Sequence, residues 1–232
     1  MVVEGEEVQT MVEKAPDSAG MVAISAQKRD GTPVLTGTAS SGPDYGETEL
    51  DKRMAKLRPS DQLVILSDLV VGQKGTGNPE KARMDMDQHM GDMYPFSNEQ
   101  KLEKITENHK YYEGETPCGG PVIPLEMISG LTQYTSGRSG FRSRGPAVGL
   151  FAGQQIKLID GPLLIGKEYL LEREIIALSE SRRTESNWIL TKVICADTKV
   201  LKAEVILNSA TLKDSYANYE ADAAALGKDL SA

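Results

Sequence analysis

Three runs of alternating apolar and polar residues occupy positions 6–40. EEVQTMVEK and GMVAISAQK place an apolar side chain at roughly every second position, and PVLTGTAS resumes the pattern after the turn RDGT. A period of two gives each run one buried and one wet face, and Asp-Gly between two such runs marks a hairpin. Residues 6–40 are therefore expected to form a three-stranded antiparallel meander. The plan returns with longer runs near the C-terminus: GLFAGQQIKLID (149–160), the turn GPLLIG, KEYLLEREIIALSES (167–181), SNWILTKVICA (186–196) and KVLKAEVILNSATLK (199–213). A shift of 167 residues lays Val22 on Ile189, Ala26 on Val193 and Asp30 on Asp197. Long strand, charged turn, long strand, Asp turn, strand is common to both copies, so an internal repeat is expected.

Between the two sets the pattern changes. SSGPDYGE is a Gly/Pro/Ser linker, TELDKRMAKL reads as a short charged helix, and DQLVILSDLVVG (61–72) reads as a strand. Residues 73–95 are polar and irregular. Residues 97–109 have helical character, with Ser97 as N-cap and Glu99 and Gln100 in the first turn. PLEMISGLTQY (124–134) is the one strongly apolar helix, with proline near its start. The organisation expected is a partial repeat over 1–42, a linker over 43–54, a full unit over 55–213 with a polar insertion at 73–95, and a C-terminal tail over 214–232 whose helix is frayed or loosely docked.

Composition narrows the class. The 232 residues are 39% hydrophobic and 26% charged, the proportions of a globular protein with a core. No run of 18 apolar residues exists, so no membrane helix is expected. The start MVVEGEEVQT lacks the basic and apolar regions of a signal peptide, which makes a cytoplasmic location the default. A net charge of −8 speaks against a broad nucleic-acid surface. Two cysteines imply neither a disulfide framework nor a structural zinc site, and no cofactor is expected. Any imidazole chemistry must come from His89 or His109.

One apolar helix followed by a long four-stranded meander describes a helix wrapped by a sheet. YYEGETPCGGPVIPLEMISGL and GLFAGQQIKLIDGPLLIGKEYLLEREIIAL carry a resemblance to the hot dog fold, in particular its MaoC-like hydratase/dehydratase branch, which includes two-repeat proteins. MVAISAQKRDGTPVLTGTAS resembles the closing strands of a preceding unit. The resemblance covers about residues 55–213 as one unit and 5–42 as part of another. It implies an α+β hot dog architecture, a small-molecule acyl or carbonyl substrate, and homo- or hetero-oligomers through sheet edges. The branch's signature, Gly-Asp-x-Asn-Pro-hydrophobic-His, is not intact: KGTGNPEK has Gly77-Asn78-Pro79 without Asp or His, and TENHKYY has Asn108-His109 without Gly-Asp or Pro.

Candidate chemistry centres on residues 107–131. His109 beside Glu107 and Glu113 has the composition of an acid–base pair for adding or removing water; the plain alternative is an exposed His ending a helix. Gly119-Gly120-Pro121 is expected to open the apolar helix, with amides polarising a thioester carbonyl; a tight turn is the plain alternative. Tyr112 and Met127 are candidates to line an acyl pocket. Arg142, in the loop SGRSGFRSRG, is a candidate to reach a nucleotide phosphate. MDMDQHMGD (84–92) gathers Asp85, Asp87, His89 and Asp92 but fails the Ca²⁺-loop pattern, so a solvated acidic loop, docked by its methionines, is expected rather than a metal site. SESRRTES (179–186) is expected to be a charged turn with local ion pairs, the alternative being an anion grip. The readings that compete with a hydratase are an isomerase or cyclase acting on a carbonyl compound free of coenzyme A, and a non-catalytic subunit that completes a partner.

Overall fold

The computed structural model describes residues 2–3, 5–15, 20–42, 46–58, 60, 62–88, 97–104, 110–114 and 116–230. The chain divides into two units, 1–57 and 58–232.

In the first unit, β1 (Val8–Lys14), β2 (Met21–Lys28) and β3 (Pro33–Ser40) form a three-stranded antiparallel sheet in that order. The helix α1 (Glu49–Ala55) matches the short charged helix read in TELDKRMAKL and takes up the end of the linker expected over 43–54. Thr48 and Asp51 explain it: the Thr48 hydroxyl accepts from the Asp51 N–H, and the Asp51 carboxylate accepts from the Thr48 N–H, a reciprocal cap that starts a helix.

The second unit is built on a five-stranded antiparallel sheet of β4 (Glu80–Arg83), β5 (Gly149–Leu158), β6 (Glu168–Glu180), β7 (Thr184–Cys195) and β8 (Leu201–Leu212), ordered β4-β6-β7-β8-β5. The four long strands lie within two residues of their expected bounds. β4 falls inside the stretch read as a polar insertion. It is only four residues long and alternates buried Glu80 and Ala82 with exposed Lys81 and Arg83, so hydrophobicity does not announce it. Its outer side is occupied: the Tyr134 hydroxyl donates to the Arg83 carbonyl and accepts from the Arg83 N–H.

The repeat is visible in the strands. β2 and β3 map onto β7 and β8 under the shift of 167, and each hairpin carries a register shift at the equivalent place, between Ala26 and Gln27 and between Val193 and Ile194. The first hairpins differ, with residues 15–20 joining β1 to β2 and residues 181–183 joining β6 to β7.

One face of the long sheet carries two apolar clusters. In the first, Met127, Ile128 and Leu131 pack on Leu171, Val193, Ala203 and Val205. The apolar helix behind these residues is shorter than the expected 124–134: a 3-10 turn (Leu125–Met127) leads into α3 (Ile128–Gln133). In the second, Leu63–Leu66 and Leu69 pack with Ile175, Tyr216, Tyr219 and Ala223. Residues 61–72 are thus not a strand; residues 65–68 are turn, and their apolar side chains are covered by the C-terminal tail. The tail itself is docked rather than frayed. Its helix α4 (Tyr219–Ala225) buries Tyr219 and Ala223.

Acidic side chains fasten that tail. Glu185 is fully buried and accepts from the N–H groups of Val64 and Leu66 and from the Tyr219 hydroxyl at 2.8, 3.0 and 3.1 Å. Glu180 accepts from Ser60, Lys213 and Lys228 at 2.7–2.9 Å. These partners come from distant elements, so the expected local pairing of Glu180 and Glu185 with Arg182 and Arg183 gives way; both arginines are exposed. Burial pushes the Glu180 carboxyl up, but the bonds from Lys228, Lys213 and Ser60 outweigh it and hold it at about 2. The Tyr219 phenol is pushed up, first by burial and then by the charge of Glu185.

Candidate functional site

The turn read as the carbonyl-polarising element sits between two anchored segments. Val122 bridges Leu164, the Ile123 N–H donates to the Leu163 carbonyl at 2.8 Å, and the Ile165 N–H donates to the Pro121 carbonyl at 2.8 Å. Residues 121–124 are therefore extended, and Gly119 and Gly120 end well before the first helical residue, Leu125. Their amides do not form the helix terminus, because the antiparallel bridge intervenes. The turn therefore does not open the apolar helix as expected, and the positive end of the helix dipole lies at Leu125 instead. Gly119 adopts φ +87°, which a residue with a side chain rarely takes. Thr116 braces the turn: its carbonyl accepts from the Gly119 N–H at 2.9 Å, and its hydroxyl donates to the Gly120 carbonyl at 2.7 Å.

The Val122 N–H donates to the Tyr111 carbonyl at 2.7 Å. That bond ties the 3-10 turn Lys110–Tyr112 to the extended segment after the glycines. Of the candidate residues on either side of that bond, Tyr112 and Gly120 are half-buried and Glu113 and Gly119 exposed. His109 and Glu107 lie outside the described residues. Met127 is not a pocket residue: it is 3% exposed and fills the first apolar cluster. Arg142 is exposed in the loop after α3, remote in sequence from the turn, whereas its neighbour Arg144 is committed to Asp222 at 3.0 Å. In the acidic loop, Asp85 pairs with Arg83 at 2.7 Å, while His89 and Asp92 lie outside the described residues.

A second polar locus went unread. Arg173 on β6 is 2% exposed and forms a buried ion pair with Glu80 of β4. Its Nη2 donates to the Thr132 carbonyl at 2.7 Å and to the Thr135 hydroxyl at 2.9 Å, tying the end of α3 to the sheet. The Asn78 side chain completes the tie, accepting from the Arg173 N–H at 3.0 Å and donating to the Arg173 carbonyl at 2.9 Å. Arg173 stands between Leu171 of the first cluster and Ile175 of the second. At this break in the apolar face lies a cleft of about 210 Å³, lined among others by Gln133, Ser139, Phe141, Asn187, Leu207 and Ser209. Close approach of the two segments at its rim requires Gly140, at φ +75°, where a Cβ would stand 2.8 Å from the Thr76 side chain. The signal in the sequence was a charged residue at an inward position of a long strand.

A closer approach to the hydratase signature also runs through residues 91–97, GDMYPFS. Gly91, Asp92, Pro95 and the apolar Phe96 hold their positions, Tyr94 replaces the Asn and Ser97 replaces the His. Residues 91–96 lie outside the described residues. Ser97 is buried, and its hydroxyl accepts from the Gln100 N–H as the N-cap of α2 (Asn98–Leu102). A hydroxyl engaged in this way supplies no general base.

The sequence matches no protein-family model and no curated protein. Several solved structures are similar to it at low identity. A MaoC-like dehydratase from Rhodospirillum rubrum is similar at 13% identity over 65% of this chain and 97% of its own, with a TM-score of 0.43. The (R)-hydratase from A. caviae involved in PHA biosynthesis is similar at 17% identity over 61% and 96%, with a TM-score of 0.38. A conserved hypothetical protein from Mycobacterium tuberculosis with a double hot dog fold is similar at 11% identity over 90% and 70%, with a TM-score of 0.42. The helix on one face of a long antiparallel sheet, with a partial copy of the same strands earlier in the chain, is an α+β arrangement.

Proposed function

We propose that this chain acts on a small acyl or carbonyl compound by acid–base chemistry of the hydratase/dehydratase type. The observation that supports the reading is the Val122–Tyr111 hydrogen bond, which ties the turn Lys110–Tyr112 to the segment that follows Gly119-Gly120. With the Gly119 N–H held by Thr116, the amide this turn would offer to a carbonyl oxygen as negative charge develops on it is that of Gly120, and a nearby carboxylate would take or return a proton. His109, one residue before the turn Lys110–Tyr112, is the proposed proton carrier, oriented by Glu107 or Glu113. Asp92 is the competing carboxylate, because it keeps its place in the signature while the His position is Ser97. Hydration of an enoyl thioester such as crotonyl-CoA tests the scheme. His109→Ala and Glu113→Gln are each expected to lower kcat by about 10²-fold. A full rate in both variants removes the role assigned to residues 109–113, and loss on Asp92→Asn alone moves the chemistry to the 91–97 segment.

A second reading has one specific observation in its favour. Ser97 caps a helix where the signature has its histidine, as suits a non-catalytic subunit in a homo- or hetero-oligomer. Co-purification with a second hot dog chain carrying the intact signature, together with no turnover by this chain alone, decides for it.

A further inference from the structure

We infer that the cleft beside Arg173 is a binding site for a small, uncharged organic ligand bearing a carbonyl or hydroxyl oxygen. The site is built from residues other than 110–120, so it stands or falls independently of the hydratase reading. Its base is an arginine that is 2% exposed, and the Arg173 Nε–H has no acceptor among the described residues although both terminal nitrogens are engaged. A buried donor without an acceptor is costly, and native interiors rarely keep one. Hydroxyls of Ser136, Ser139 and Ser209 and amides of Gln133 and Asn187 surround the same space. Phe141, Ile189 and Leu207 supply apolar walls for a ring or short chain.

Charge decides the ligand class. Among the described residues Arg173 is the one charged side chain lining the cleft, and its positive charge is already matched by Glu80. A carboxylate or phosphate entering here would bring an uncompensated charge next to a neutral pair, which burial penalises. A ketone, lactone or alcohol takes the Nε hydrogen bond without that penalty. The volume of about 210 Å³ is below the range of roughly 300–1,000 Å³ typical of sites for drug-sized ligands, so the ligand is compact and a coenzyme A thioester does not fit as a whole.

The test compares acetophenone with benzoate, which share a ring and differ in charge. In the ¹⁵N-labelled full chain, acetophenone is expected to shift the Arg173 Nε–H and Asn187 side-chain resonances, and benzoate to bind at least tenfold more weakly. Ser209→Phe, which fills the cleft from β8, is expected to weaken acetophenone binding at least tenfold. Gly137→Leu is a second block from the rim, at a position where an added Cβ meets no atom within 4 Å. Unmoved Arg173 and Asn187 resonances overturn the proposal, as do equal binding of benzoate and undiminished binding by the folded variants.

Discussion

The two meanders of this chain share a plan and differ in what lies on them. β2–β3 and β7–β8 carry the same hairpin with its register shift in the same place. Yet β7 and β8 hold Val193, Ala203 and Val205 at 0–1% exposure, whereas Val12 and Leu35 on β1 and β3 are 61% and 53% exposed. Under the 167-residue shift, Val22 and Ala26 correspond to Ile189 and Val193, both part of the apolar clusters of the long sheet. Within the second unit that face is covered by α3 and by residues 63–69 with the tail. Alternation of side chains specifies a sheet; a core requires a second layer.

The comparison breaks first at its polar tie. Arg173→Met leaves the Glu80 carboxylate buried and unpaired, and is expected to cost about 3–5 kcal/mol in denaturant unfolding of the second unit. A loss under 1 kcal/mol would mean that the ion pair does not hold α3 to the sheet. Next is the layer itself: Leu131→Ala is expected to cost about 3 kcal/mol, while Leu35→Ala on the first sheet stays within about 0.5 kcal/mol. Equal costs would erase the distinction between the two meanders.

Smaller effects sharpen it. Ser97→Ala removes the cap of α2 and is expected to cost about 1 kcal/mol, read in the same unfolding curves. Glu180 has a folded pKa of about 2, below its ordinary value of 4.5. Its contribution is therefore present above about pH 4.5 and is lost as pH falls toward 2. Because the side chain keeps some contact with solvent, about 1 kcal/mol is the size expected. Glu180→Gln should flatten that part of the stability–pH profile, and an unchanged profile would detach the tail's lysines from it.

Much of this architecture was legible because its signals are local. Period-two alternation and Asp turns located seven of the eight strands, and Ser97 marked the start of α2. β4 escaped because Ala82 is its one buried apolar residue. Residues 63–66 were read as strand because their apolarity serves a core completed far along the chain. Glu185 was read as a surface charge since its partners, Val64, Leu66 and Tyr219, lie more than 30 residues away. At the site, the tie between residues 110–112 and the segment after the glycines spans few residues and lies within one stretch of sequence. The separation of those glycines from the helix was not legible, because it depends on pairing with residues 163–165.

The docking of the tail also has a temporal side. Leu69 waits for Tyr219, 150 residues later, before the second apolar cluster can close. At ordinary rates of polypeptide synthesis, about 5–20 residues per second, that interval is roughly 8–30 s. During it the apolar side chains of Leu63, Val64, Ile65 and Leu66 have no final cover on the nascent chain. Truncation before Tyr219 would make that state permanent, so shortened products of this chain should be substrates for chaperones and proteases while the full-length product is not.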